Sequence, residues 1–204
     1  MKKINYHLYL VTDESEKCRY GLLDTVKRAV QGGVTVVQYR TVNKDYATQL
    51  AEILPLQAYL KEVGVPLIIN NNVELAVAIG ADGLHVGQGD TPVAEARRRI
   101  GPDMILGLSV TNAEEMAAVD TSLVDYVGCG PVFPTNTKKD AAKDVGMEGW
   151  NAIASASPLP VVAIGGLDKE RTAAVRATGY AAGVAIVSYI CAAEDPEQAA
   201  RDLL

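Results

Sequence analysis

Phenylalanine and tryptophan occur once each in this 204-residue sequence, histidine twice and cysteine three times. Cys18, Cys129 and Cys191 are far apart, odd in number and form no CxxC pair, which argues against zinc and against a disulfide framework. Reduced thiols in a cytoplasmic protein are the simple expectation. His7 and His85 have no second histidine or cysteine at ligand spacing, so His85 is expected to be a hydrogen-bonded structural residue. Positive charge is scarce too: 19 Lys and Arg stand against 25 Asp and Glu, for a formal net charge of -6. Nucleic acid and anionic membranes are therefore poor main partners, while a local cationic site for a small anion stays open. No apolar run approaches the length of a membrane span. The N-terminal stretch MKKINYHLYLVTDESEK meets Thr12 and Asp13 too soon to hold a signal sequence.

What is present is an ordinary globular composition, 49% apolar and 22% charged, long enough for a substantial core. Short runs rich in Val, Ile and Leu alternate with longer amphipathic segments. The runs predict strands over residues 8–11, 34–40, 65–70, 82–86, 104–109, 124–128, 159–164 and 183–187. The segments between them predict helices over 22–31, 45–63, 73–79, 92–100, 113–119, 148–156 and 168–177, with a last helix over 196–204. Gly32-Gly33, Gly64 and Gly80 stop helices, Asp168 and either Thr111 or Asn112 cap them, and Pro92 opens one. Pro55 inside the second helical pattern predicts a kink or break. The strands are apolar throughout rather than alternating, as in a parallel sheet buried on both faces. Eight strand-helix units without a linker point to an α/β chain forming a single-domain (β/α)8 TIM barrel over residues 1–204. The rival, an open doubly wound sheet, usually has fewer units.

The most distinctive stretch is Gly130-Pro131-Val132-Phe133-Pro134-Thr135-Asn136-Thr137-Lys138-Lys139-Asp140, which leaves the sixth strand. Its prolines fix the path, and its threonines and lysines offer hydroxyls, amides and charge suited to an anion such as phosphate. In a barrel of this kind the active site lies where strands end. Strand two ends in Gln38-Tyr39-Arg40, with residues 38 and 40 on one face and Tyr39 on the other. Strand three ends in Asn70-Asn71-Asn72, strand four leads to Asp90, and strand five ends at Ser109. Strand seven supplies Gly165-Gly166 and strand eight Val187-Ser188, where small residues let backbone amides approach phosphate oxygens.

These segments resemble thiamine phosphate synthases. GPVFPTNTKKD at 130–140 and ADGLHVGQGD at 81–90 carry the resemblance, supported by LYLVTD at 8–13, GLS at 107–109, IGG at 164–166 and VS at 187–188. The resemblance implies a Mg2+-dependent transferase of thiamine biosynthesis with two small-molecule substrates. These are hydroxymethylpyrimidine diphosphate and hydroxyethylthiazole phosphate, and a homo-oligomer is left open. Pyrophosphate departs and the thiazole nitrogen captures the pyrimidine-methyl cation, with no side-chain nucleophile. By the same resemblance Gln38 bonds the pyrimidine, Tyr9 lies beside it and Ser109 sits near the reacting pyrimidine. Arg40, Asn70 and Lys138 hold the diphosphate, and Asp90, with Asn71, holds the metal. Thr135, Thr137, Gly165, Gly166, Val187 and Ser188 surround the thiazole phosphate and pyrophosphate. Arg40, Ser109 and Lys138 are the implied catalytic groups.

Two positions depart from the family pattern. Val42 stands where a lysine is usual, with Lys44 close by, and Asn71 stands where a second metal carboxylate is usual. An amide oxygen can bind Mg2+ without the carboxylate's charge, so weaker metal binding is expected. A thiazole tautomerase-like relative shares the barrel but relies on an active-site histidine, for which the Thr135–Lys138 segment offers no obvious candidate. A barrel that binds thiamine phosphate or its precursors without turnover is the alternative that the two departures keep open. Trp150, Phe133 and Tyr39 are expected to pack, Cys129 to be a buried inert thiol, and Arg97-Arg98-Arg99 to be a solvated helix face.

Overall fold

Strands of four to six residues with side chains buried on both faces must be covered from two directions. The computed structural model, which describes residues 4–15, 18–135, 137 and 143–204, meets that need by closing the sheet on itself. Strands β1 (Leu8–Val11), β2 (Val36–Tyr39), β3 (Leu67–Asn70), β4 (Gly83–Val86), β5 (Ile105–Val110), β6 (Tyr126–Cys129), β7 (Val161–Ile164) and β8 (Ala181–Ile186) form a closed parallel barrel in chain order. Leu8 to Leu10 of β1 pair with Val184 to Ile186 of β8, which completes the ring. The helices are α1 (Gly21–Gln31), α2 (Tyr46–Val63), α3 (Val73–Ile79), α4 (Val93–Ile100), α5 (Ala113–Ala117), α6 (Gly146–Ala156), α7 (Lys169–Ala177), α8 (Ser188–Cys191) and α9 (Pro196–Arg201).

Strand alternation divides the core into two layers. Leu8, Val37, Tyr39, Ile69, Leu84 and Val127 face outward and pack beneath the helices. Tyr9, Val36, Ile68, Ile105, Tyr126 and Val162 face inward and fill the barrel. Tyr39 is outward as expected, with its hydroxyl donating to Glu52 Oε2 at 3.1 Å. The helix boundaries follow local chemistry: Asp45, Asn72, Asn112, Asp168 and Asp195 each accept a backbone N–H in a first turn. Gly64 and Gly80 end α2 and α3 in the left-handed region.

Three expectations need correction. The break allowed at Pro55 does not occur: helix α2 is continuous across it, with Ile53 before it and Leu56 and Leu60 after it buried. Pro55 and Ala51 are both exposed, so the carbonyl that loses its amide donor can turn to water. Between β8 and the last helix lies α8, a four-residue turn of helix that the apolar run over 183–187 did not reveal. Arg97 is not a solvated residue. Its guanidinium reaches Asp125 at 2.6 Å and the carbonyls of Leu123, Gly101 and Met104, which ties α4 to the N-terminal end of the barrel. Arg98 and Arg99 do lie at the surface, paired with Glu95 and Glu74.

Candidate active site

The C-terminal end of the barrel collects the predicted residues because inward positions recur every second residue. Gln38 and then Arg40 follow Val36 on the inward face, Asn70 follows Ile68, and Ser109 follows Ile105 and Gly107. Arg40 is held by its backbone: its amide donates to Thr12 Oγ1 at 2.9 Å, and the Thr12 hydroxyl donates back to the Arg40 carbonyl at 3.2 Å. Its side chain is half-buried at the mouth, where a guanidinium fork can grip a phosphate.

Gln38 donates from Nε2 to Tyr9 Oη at 2.9 Å. Tyr9 Oη lies 2.9 Å from Tyr126 Oη, Tyr126 Oη lies 2.9 Å from His85 Nδ1, and His85 Nε2 lies 2.9 Å from Ser109 Oγ. Tyr9 and Tyr126 are buried, and burial pushes both phenols well above their ordinary range, so they stay protonated. His85 is the hydrogen-bonded residue that its isolation in the sequence predicts. Gln88 steadies the same edge by donating to the Ser109 carbonyl at 2.8 Å.

At the ends of β3 and β4, Asn71 and Asp90 come together. Asn71 Nδ2 donates to Asp90 Oδ1 at 3.0 Å, and Asp90 Oδ2 accepts from the Gly87 amide at 2.7 Å. Asn71 has φ of 61°, a left-handed conformation that asparagine tolerates better than most residues. Among the described residues no group of three or more His, Cys, Asp or Glu converges. One carboxylate with an adjacent amide nevertheless fits the sparse protein share of a Mg2+ site completed by substrate phosphates.

Loop two is shaped by Glu14, which sequence reasoning missed. Its carboxylate accepts from the Thr41 hydroxyl and from the Val42 and Asn43 amides. Burial pushes the Glu14 carboxyl up, but these donors and Lys44 outweigh it and hold it below its usual value. Lys44 is turned to α2, with Nζ 2.7 and 2.8 Å from the Glu52 oxygens and 3.9 Å from Glu14. Val42 is 64% exposed.

Loop six begins after β6 and folds onto the end of β7. The Val132 amide donates to Ile164 O at 2.8 Å and the Phe133 amide to Gly165 O at 3.1 Å. Gly165 and Gly166 both have positive φ, and a Cβ on either would strike Pro131 or the Phe133–Pro134 backbone. The pair therefore serves the turn and the close approach of loop six together. Thr135 and Thr137 lie within 3.2 Å of each other through their hydroxyls. Asn136, Lys138, Lys139 and Asp140 lie outside the described residues. Val187 and Ser188 stand where β8 gives way to α8, with Val187 N-capping that helix.

The sequence profile of the thiamine monophosphate synthase (TMP-TENI) family matches residues 8–190. The chain belongs to this family. It is 48% identical over 196 residues to the thiamine-phosphate synthase of Azorhizobium caulinodans, covering 96% of this chain and 92% of that protein. With the thiamine-phosphate synthase of Xanthobacter autotrophicus it shares 50% over 202 residues, covering 99% and 95%. The solved thiamine phosphate pyrophosphorylase of Pyrococcus furiosus superposes with a TM-score of 0.85 at 32% identity, covering 98% of this chain and 94% of that one. A 3-hexulose-6-phosphate synthase structure, at 16% identity and a TM-score of 0.64, shares the fold alone.

The smaller expectations agree with this picture. Cys129 is fully buried and its thiol is pushed up to about 12 by that burial. Trp150 is buried and donates to Thr178 Oγ1 at 3.2 Å, while Phe133 packs on the core beneath the Arg171 guanidinium. Tyr126, buried inside the barrel at the start of β6, and Thr12, buried just after β1, are the residues that motif reasoning passed over. Tyr126 sits two residues before Gly128, and that alternation was the available signal.

Proposed function

We propose that this chain is a transferase that joins hydroxymethylpyrimidine diphosphate to hydroxyethylthiazole phosphate, yielding thiamine phosphate and pyrophosphate. The observation that carries the reading is the convergence of Gln38, Arg40, Asn70 and Ser109 on one barrel mouth, in a chain of this family. The bond from the pyrimidine methylene to the diphosphate oxygen breaks with its electron pair leaving on pyrophosphate. The thiazole nitrogen then donates its lone pair to the methylene carbon. Such a step needs a stabilised leaving anion, a shielded cation and close partners rather than a side-chain nucleophile.

In this reading Gln38 and Ser109 orient the pyrimidine, and Tyr9 acts by holding the Gln38 amide. Arg40, Asn70 and Lys138 bind the diphosphate. Thr135, Thr137, Gly165, Gly166, Val187 and Ser188 surround the thiazole phosphate and the departing pyrophosphate. Asp90 and Asn71 would hold Mg2+, which supplies positive charge against the leaving group when bound. With a single carboxylate there, the metal requirement rises toward higher concentration. We place this activity in the cytoplasm, where the free thiols at 18, 129 and 191 would stay reduced. No described helix is long and apolar enough to cross a membrane.

The test is incubation of purified protein with both substrates over a Mg2+ series, following thiamine phosphate and pyrophosphate. Equal amounts of the two products are expected. Binding of the thiazole phosphate without product at any Mg2+ concentration would overturn the reading in favour of a barrel that binds without turnover.

A further inference from the structure

The two groups placed on the pyrimidine, Gln38 and Ser109, sit on strands β2 and β5, on different sides of the barrel. Between them runs one continuous chain of hydrogen bonds, Gln38–Tyr9–Tyr126–His85–Ser109, with every link at 2.9 Å. Its middle is buried in the barrel, with Tyr9 and Tyr126 each 1% exposed, while Ser109 at the far end is part-exposed at the mouth.

The fold clears space for this chain at specific glycines. His85, Gly107 and Tyr126 lie side by side across β4, β5 and β6. A Cβ at Gly107 would sit 2.5 Å from His85 Nδ1 and collide with the Tyr126 ring. A Cβ at Gly128 would sit 3.1 Å from His85 Cε1. Gly107 lets His85 and Tyr126, on non-adjacent strands, meet directly over the strand between them, and Gly128 on β6 leaves room for the imidazole.

Each tyrosine hydroxyl carries one hydrogen, so the chain can run in one of two directions. Gln38 donates to Tyr9, so the Tyr9 hydrogen goes to Tyr126 and the Tyr126 hydrogen goes to His85 Nδ1. His85 must then carry its proton on Nε2 and donate to Ser109 Oγ. The Ser109 hydrogen is thereby released to point elsewhere. In the reverse direction Tyr9 would accept from both neighbours, and its buried hydrogen would have no partner within this chain.

We propose that His85 and Tyr126 are positioning residues that, as the Nε2–H tautomer and its hydroxyl donor, make Ser109 a hydrogen-bond donor to the bound substrate in step with Gln38. The inference rests on the pyrimidine reading of the site given above. It assigns work to a histidine and a tyrosine that the bond-breaking step does not itself use.

The first arm of the test is independent of activity. The chain has just two histidines, so [15N]histidine labelling with a His7→Asn variant assigns both rings. Long-range 15N–1H correlation of the intact protein at neutral pH is expected to show His85 protonated at Nε2 with Nδ1 as acceptor. A ring protonated at Nδ1, alone or together with Nε2, overturns the proposal.

The second arm is a double-mutant cycle on thiamine phosphate formation. Tyr126→Phe should lower kcat by about tenfold, the value of about one hydrogen bond, with KM little changed. In a Ser109→Ala background the same change should cost less than about twofold, because the group it acts through is gone. Equal losses in both backgrounds would mark Tyr126 as structural and sink the relay. Should the wild-type protein form no product, the functional reading falls on its own, and the His85 tautomer still decides the relay.

Discussion

Asn71 and Asp90 show how much one atom changes. The Asn71 amide donates to Asp90 Oδ1 at 3.0 Å, so the carboxylate that would face Mg2+ already has a neutral neighbour in place of a second anion. Asn71→Asp would restore that charge without disturbing the left-handed backbone, since aspartate tolerates φ of 61° as well. A further unit charge at coordination range contributes at least ~1.4 kcal/mol near a protein surface, so half-saturating Mg2+ should fall by about tenfold. A Mg2+ titration of the initial rate, wild type against variant, checks this. Glu14 is the second residue-scale case. Its carboxyl is held below its unfolded value, so its contribution to loop two is present above that value and lost as pH falls through the lowered one. Acid titration should therefore loosen residues 41–44 below the ordinary carboxylate range. Backbone amide signals of Val42 and Asn43, followed by NMR, are the readout, and Glu14→Ala should abolish their acid transition.

At the scale of elements, glycines and one arginine hold the mouth and the base of the barrel. A Cβ at Gly130 would drive into the Ile164 carbonyl, where loop six crosses β7. Gly130→Ala should destabilise the fold by roughly 2 kcal/mol through overpacking, read as a lower denaturant midpoint. Arg97 joins α4 to Asp125, and Asp125 also accepts from the Leu106 amide at 2.8 Å. Arg97→Ala strands a half-buried carboxylate, so a loss of about 2–3 kcal/mol is expected, below the full cost of breaking a deeply buried pair. Chemical denaturation monitored at Trp150 checks both variants. These contacts explain which parts of the molecule the sequence could disclose. The strands were legible because their apolar runs need burial on two faces; alternation put Gln38 and Arg40 on one face, and Asn70 and Ser109 were read from where their strands end. Arg97 looked solvated because its partner Asp125 is distant in sequence and meets it only through the barrel. The same holds for Glu14 under loop two and for Tyr126 beneath His85. Helix α8 escaped because four residues give too little periodicity to read.

At the scale of the whole molecule, closure of the ring places every strand end at one mouth. A chain with net charge of -6 then needs its cations where the anions bind, and Arg40 is half-buried at that mouth. The opposite end of the barrel carries packing and ion pairs such as Arg97–Asp125. Tyr180, 48% exposed and one residue before β8, marks that far end. The division between a chemical face and a structural face is the central claim. It is tested most directly by kcat/KM for thiamine phosphate formation in wild type, Arg40→Ala and Tyr180→Ala proteins. The account predicts that Arg40→Ala loses at least about a hundredfold, as expected for a transition-state charge contact, while Tyr180→Ala stays near wild type. Comparable rates for Arg40→Ala and wild type would contradict it, because the diphosphate would then be held elsewhere.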